Sequence, residues 1–571
     1  VEVLETRVLL VGDSFESNNT WQTATDLGVI PGVHRGGLSI DVAADEDWYR
    51  FELLRTDDVA FQIAFNSAAG NLSFDLVRVL DTTPTVVGSS TANTQGAGLT
   101  ASGLAAGSYY LQVIGGGNTN TYSLAIDPAT SSGTRVLYVN DTSTANDFYT
   151  TAVGNSSNTG LSPASPKGSI QQLLDAYTLG PNDLVLVDTG TYTGTVVATG
   201  NDEGITFAGS PGISRLNGTF EMADSDYNTL YLLTLGGTGT SLFIHETAVD
   251  VTSNTTLRRL RVLSSSTGIR ISGGAGHLLA DSVIEGSGSY GIDANPASLT
   301  LLRNTISGRS YGVLLSGSSG SLIEGNNIAA TTYALYTSSV SNLSVVNNDL
   351  HHAQYGLMVW SGTVLVSGNR LYNNNSGAYS YVASTVFRGN SVYANTIGLA
   401  GYGIFGGADW SATQVNLISN NTTGIRTEST TSGQTVAFNR LTGNQVAIEP
   451  GSATAIRNNI LVDNATGILA KGITNLGVLN NTIVTASGTG IRLQQSTSNA
   501  TLRNNILSTT SGTGLSVATD SQRGFSSDYN NHSTSASATL VWWQKPFWDL
   551  FDWQIEADFD RHSIGTTSLA P

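Results

Sequence analysis

The order of apolar and polar residues changes texture along the chain. Between residues 14 and 127, short runs alternate apolar and polar side chains: "DWYRFEL", "VAFQIAF", "FDLVRVL", "SYYLQVIG" and "TYSLAID". Alternation with period two, broken by turns rich in Gly, Asn and Asp, predicts half-buried strands in an antiparallel β-sandwich. Residues 128–134 carry no such pattern and read as a linker. Over 168–178, Ile170, Leu173, Leu174 and Tyr177 follow helical spacing, which predicts a short amphipathic helix covering one open end of a stack. A new regularity then takes over. A Gly or Ala followed by a strand recurs at 268, 291, 312, 334, 356, 377, 398, 424, 447, 467, 490 and 514, a step of about 22 residues.

A second landmark runs in phase with the first. Asn stands two residues before Ile, Leu or Val at Asn304, Asn326, Asn348, Asn369, Asn390, Asn439, Asn458, Asn481 and Asn504. Two phased landmarks predict a solenoid, in which each coil buries its inner face on its neighbours. The Asn column is expected to be structural, its amides hydrogen-bonding along the stack. The closing segment carries Trp542, Trp543, Trp548 and Trp553, which predicts an aromatic cap over the last coil. The expected organisation is all-β: a leader (1–13), a sandwich (14–127), a linker (128–134), a parallel β-helix (135–525) and its cap (526–571).

Two stretches resemble known families. "DSFESNNTWQTATDLG", "DVAADEDWYRFEL", "GLAAGSYYLQVIGGG" and "YSLAI" follow in the order seen in bacterial pre-peptidase C-terminal domains. That resemblance implies a non-catalytic binding or secretion module, and some relatives bind calcium in this region. The segment "RVLYVND…GNSSNTGLSPASPKGSIQQLLDAYTLGPNDLVLVDTG" resembles the entry of right-handed parallel β-helix proteins of the bacterial secreted or surface type. "LETRVLL" at 4–10 is similar to an element near the start of large secreted bacterial surface proteins.

Stacking converts sequence offsets into neighbours, because equivalent residues of adjacent coils lie ~4.8 Å apart. Tyr290, Tyr311, Tyr333 and Tyr355 each precede the Gly landmark and form a column expected to stack internally. Charged residues at the second position after the landmark (Arg270, Asp293, Arg426, Glu449 and Arg492) place even offsets outside. Tyr336, Met358, Trp360, Tyr379, Tyr381 and Tyr402 then form an exposed aromatic patch, joined by Trp410 from the insertion "GYGIFGGADWSA" unless that insertion covers them. The same register pairs Arg270 with Asp293, Arg426 with Glu449, and Asp349 with Arg370.

Composition narrows the function classes. Charged residues make up only 12% of the chain, and the net charge is −18. An acidic chain is a poor partner for nucleic acid, whose binding rests on Lys and Arg. There is no Cys, so disulfides and thiolate chemistry are excluded. No run reaches the ~20 apolar residues of a membrane span. The chain starts at Val1 without Met or a signal peptide and reads as processed or trimmed; with its acidic, Cys-free β-repeat composition it reads as an exported bacterial protein, extracellular or at the cell surface.

Candidate chemistry is sparse. Acidic residues gather in two places, Asp13 with Glu16 and Asp41 with Asp45, Glu46 and Asp47; Glu16, Asp45 and Asp47 are the candidates to supply oxygen ligands to calcium. Catalytic candidates are His351 and His352 beside Asp349 and Tyr372, with Asp409. "SYGIDANPAS" (289–298) resembles the alginate epimerase motif, but its His and second Asp are missing. Among coil carboxylates, Asp281 and Glu285 come nearest to a hydrolase pair. Two readings remain open: a structural, adhesive or glycan-binding module engaging a polysaccharide, a cell-surface glycan or other chains, and a polysaccharide lyase or glycoside hydrolase acting along the 330–410 face.

Overall fold

A computed structural model describes residues 12–80, 82–246, 253–264, 266–430 and 433–568. The "LETRVLL" element falls outside them. The chain forms two compact units, residues 1–236 with 258–260, and residues 237–257 with 261–571.

In the first unit, two five-stranded sheets face each other. One is antiparallel throughout; in the other, the edge strand Thr25–Val29 runs parallel to Glu46–Leu53. Alternation in "EDWYRFEL" sends Tyr49 and Phe51 inward, and Phe51 meets Phe61 of the opposite sheet at 5.7 Å between ring centroids. The expected linker is tied down: Asn120–Pro128 is a strand, and Ser132 Oγ donates to Asp57 Oδ1 at 2.6 Å. The parallel coils begin where Arg135–Val139 pairs with Asp183–Val187, which pairs in turn with Thr206–Gly209. The predicted helix is Ile170–Ala176, and its N-cap Ser169 accepts a hydrogen bond from Gln172 N.

The second unit is a parallel β-solenoid. Each coil adds one strand to one sheet and two strands to another. The Gly landmark has a steric cause. A Cβ at Gly377 would lie 2.4 Å from the carbonyl oxygen of Gly398, and the same holds at Gly356 against Gly377 (2.5 Å). Coils can approach closely there only with little or no side chain.

The Asn column is a buried ladder at one corner. In Asn369, for example, Oδ1 accepts from Asn348 N and Nδ2, while its own Nδ2 donates to Val345 O, Ser367 O and Asn390 Oδ1. Two expected members are displaced by one residue. Asn458 and Asn504 take the left-handed turn (φ 55° and 57°), and Asn459 and Asn505 hold the ladder positions. Asn416 and Asn530 also belong to it. A second ladder, Asn374, Asn395, Asn421, Asn444 and Asn464, fills another corner.

The solenoid runs further than 525. Ser526–Asp528 and Asn531–Ser535 still pair in parallel with the preceding coil. The cap proper is a hairpin strand, Lys545–Phe547, and a helix, Leu550–Ala557. Trp553 is fully buried and donates to Asp560 Oδ2 at 2.9 Å, whereas Trp542 and Trp548 are exposed.

Candidate functional site

Register brings the aromatic residues of the second unit together. Tyr336, Met358 and Tyr379 pair across successive coils. Trp360 (51% exposed) packs against Tyr381 (45% exposed) at 4.6 Å between ring centroids, with tilted planes, and Tyr381 meets Tyr379 at 4.8 Å. Tyr402, on the next coil, is half-buried.

Two expectations about this face need correction. Met358 is only 4% exposed: its position is an outward one, but Tyr336 and Tyr379 flank it in register and shield it from water. The Tyr290–Tyr355 column does stack, with centroids 5.1, 4.9 and 5.4 Å apart, but its members are only partly buried and stand on the outside wall. They are continuous with the patch, since Tyr333 contacts Tyr336 at 5.3 Å and Tyr355 contacts Tyr379 at 6.5 Å. Crowding by neighbouring rings raises the phenol pKa of Tyr311, Tyr333 and Tyr336, first through burial and then through the adjacent tyrosines.

Tyr379 reaches across the intervening coil, where Ala400 occupies its register position, and its hydroxyl lies 3.1 Å from Glu428 Oε1. Burial and Glu428 both drive its pKa upward, so it stays a phenol that donates to the carboxylate. The insertion after Gly401 does not join this cluster. Ile404–Phe405 forms a strand with Phe405 in the core, and Trp410 packs edge-on against Phe438 at 5.7 Å.

The catalytic candidates are dispersed. His351 stacks on Tyr372 at 4.8 Å; its Nδ1 lies 2.6 Å from His352 Nδ1 and its Nε2 2.6 Å from Asn327 Oδ1. Burial first, then His352, lowers the His351 pKa and keeps the ring neutral at pH 7. Asp349 is committed to Arg370 at 2.8 Å. Asp409 accepts from Ser411 N in its own loop, and the Ser411 side chain first, then that backbone bond, lower its pKa. Asp281 pairs with Arg303 and Glu285 with Arg261, both at 2.7 Å. Asp293 faces Arg270 at 3.7 Å and Glu449 faces Arg426 at 3.3 Å, as the register predicts.

In the first unit, five carboxylates converge. Ligand oxygens of Asp13, Glu16 and Asp47 lie within 4.8 Å of one another, as do those of Glu16, Asp41 and Asp45. Glu16 is the shared member, and Asp45 and Asp47 fall in overlapping groups with Asp41 and Asp13. Asp47 is fully buried. Its Oδ2 accepts from the Tyr122 hydroxyl at 2.6 Å, while Oδ1 has no partner among the described residues. Desolvation pushes its pKa up to about 7. Burial and then Asp45 raise that of Glu16. A buried carboxylate oxygen without a partner, among other carboxylates, fits a hard cation that would bring the missing charge.

Two family models match stretches of the solenoid. The model of the right-handed β-helix region family matches residues 248–397, and that of the periplasmic copper-binding protein family NosD matches 416–532. No curated protein sequence matches the chain. The pre-peptidase C-terminal domain of a Bacillus anthracis collagenase is 18% identical, covering 18% of this chain and 94% of its own, with a TM-score of 0.15. A pectate lyase is 14% identical over 54% of this chain and 79% of its own, with a TM-score of 0.29. The A-module of an Azotobacter vinelandii mannuronan C-5 epimerase is 13% identical over 70% and 94%, with a TM-score of 0.25. Copper does not fit the matched residues: sites for it draw on His, Met or Cys, and 416–532 contains one His and neither of the others. That residue, His532, is buried 3.6 Å from Asp560.

Proposed function

We propose that the chain is an exported glycan-binding module whose solenoid docks an extended polysaccharide along the face of Trp360, Tyr381, Tyr379 and Tyr336. One observation carries the reading. Half-exposed rings run without interruption across consecutive coils, from Tyr290 to Tyr381, and end in the exposed Trp360–Tyr381 pair. A contiguous apolar surface of this kind marks an interaction site. Aromatic faces stack on the C–H face of sugars, and rigid rings lose little entropy on binding. The acidic cluster of the sandwich serves as a calcium site that stabilises the module. Export is supported by the periplasmic character of the family matching 416–532; among the described residues no helix is long and apolar enough to cross a membrane.

A glycan-array screen of the full chain tests this reading, with reducing-end and unsaturated-uronate assays on every hit. Binding without product release supports it. Product release abolished by His352→Ala or Asp409→Ala would replace it with an enzyme. Self-association through Trp360, seen by sedimentation and lost in Trp360→Ala, would replace it with an assembly role.

A further inference from the structure

Where the tyrosine column ends, the surface opens. Tyr355 is followed in register by Ser376, Ile397 and Thr423. Beside this change in side-chain size lies a groove of about 560 Å³ crossing the coils from Asn373 to Gln445. Its back is the second amide ladder. There Asn374, Asn395 and Asn421 spend their side-chain bonds on one another and on backbone, so the wall is rigid. Tyr372 and Tyr393 directly precede the groove residues Asn373 and Ala394, and their rings stack 5.1 Å apart with planes 3° from parallel.

The rim has the opposite character from the wall. Asn373, Thr396, Asn420, Thr422 and Gln445 are exposed, and none of their side chains makes a hydrogen bond to another of the described residues. Each can donate and accept. No charged side chain is among the described residues that line the groove. We propose that this groove is a second sugar site, taking an uncharged, hydroxyl-rich stretch of glycan. Sugar hydroxyls both donate and accept and so match amides and hydroxyls. A uronate carboxylate would be desolvated there with no cation to meet it. The tyrosine column points along the solenoid toward this opening, so one chain can occupy both surfaces. The ligand class rests on the glycan-binding reading above; the residues are different ones.

The test is affinity electrophoresis of the full chain in gels containing hydroxyethylcellulose, xyloglucan or polygalacturonate. A neutral polymer is expected to retard the wild type, and polygalacturonate is not. The double variant Thr396→Glu/Thr422→Glu should bind the neutral polymer ~10-fold more weakly, and the milder Asn373→Ala/Gln445→Ala ~3-fold more weakly, which also decides the matter if the first fails to fold. Unchanged retardation of both groove variants, alongside impaired Trp360→Ala, would overturn the groove alone. Retardation by polygalacturonate only would overturn its neutral specificity. A wild type held by no polymer or array glycan would overturn both sites.

Discussion

Trp360 and Tyr381 stand on successive coils with ring centroids 4.6 Å apart and planes inclined at 55°, and each is about half-exposed. Such rings contribute little to holding the coils together, because their outer faces remain in water. Tyr381→Phe is expected to keep ligand affinity within about 2-fold, since stacking needs the ring and not the hydroxyl, whereas Tyr381→Ala should lower it by ~10-fold. Titration calorimetry on an array hit reads the difference, and thermal melting of both variants should match the wild type.

The acidic cluster predicts an unusual pH dependence. Asp47 has a folded pKa of about 7, above the 3.8 of an ordinary aspartate, so the folded state holds its proton more tightly than the unfolded chain. Without calcium, its contribution is fully present below the unfolded value and lost as pH rises through about 7. Lowering the pH from 8 toward 5 should therefore raise the melting temperature of the calcium-free protein. Calcium should abolish this dependence, and Asp47→Asn should remove both it and the calcium-induced stabilisation. Scanning calorimetry with and without chelator measures each arm.

Asn390 is buried and its amide makes three donor contacts, to Val366 O, Arg388 O and Asn416 Oδ1, all within 3.1 Å. Asn390→Ala orphans buried partners and should destabilise the solenoid by ~2–3 kcal/mol. The exposed Asn375→Ala should stay within ~0.5 kcal/mol of the wild type. Denaturant unfolding distinguishes the two.

Arg309 sits at a register shift, fully buried, with no carboxylate partner among the described residues. Its guanidinium donates to Glu285 O at 2.6 Å and Ser264 Oγ at 3.3 Å, and burial lowers its pKa. Gly286 and Gly288 make room for it: a Cβ on either would lie 3.0 or 2.5 Å from its nitrogens. Arg309→Ala leaves both a void and an unpaired carbonyl, so a loss of ~3 kcal/mol is expected in the same unfolding experiment.

Much of this was legible in the sequence because a solenoid turns spacing into contact. The Gly landmark has the phase of the register, since a Cβ there meets the next coil's carbonyl. The three cross-coil ion pairs follow from the same offsets. Ambiguity entered where two Asn stand together. Asn tolerates left-handed backbone, so in Asn458–Asn459 and Asn504–Asn505 the turn residue and the ladder residue look alike. Alternation assigned Met358 to the correct wall but not its exposure, which depends on how the flanking rings lie. The outward placement of the Tyr290–Tyr355 column and the open groove are tertiary outcomes. Spacing along one strand carries no signal for them.

The central claim is that the aromatic face binds glycan. It is tested most directly by the dissociation constant of the full chain and of Trp360→Ala for the best glycan from the array, measured by titration calorimetry at one salt concentration. The account predicts saturable wild-type binding that weakens at least ~10-fold in the variant, with an unchanged melting temperature. Equal affinity in both proteins would contradict it.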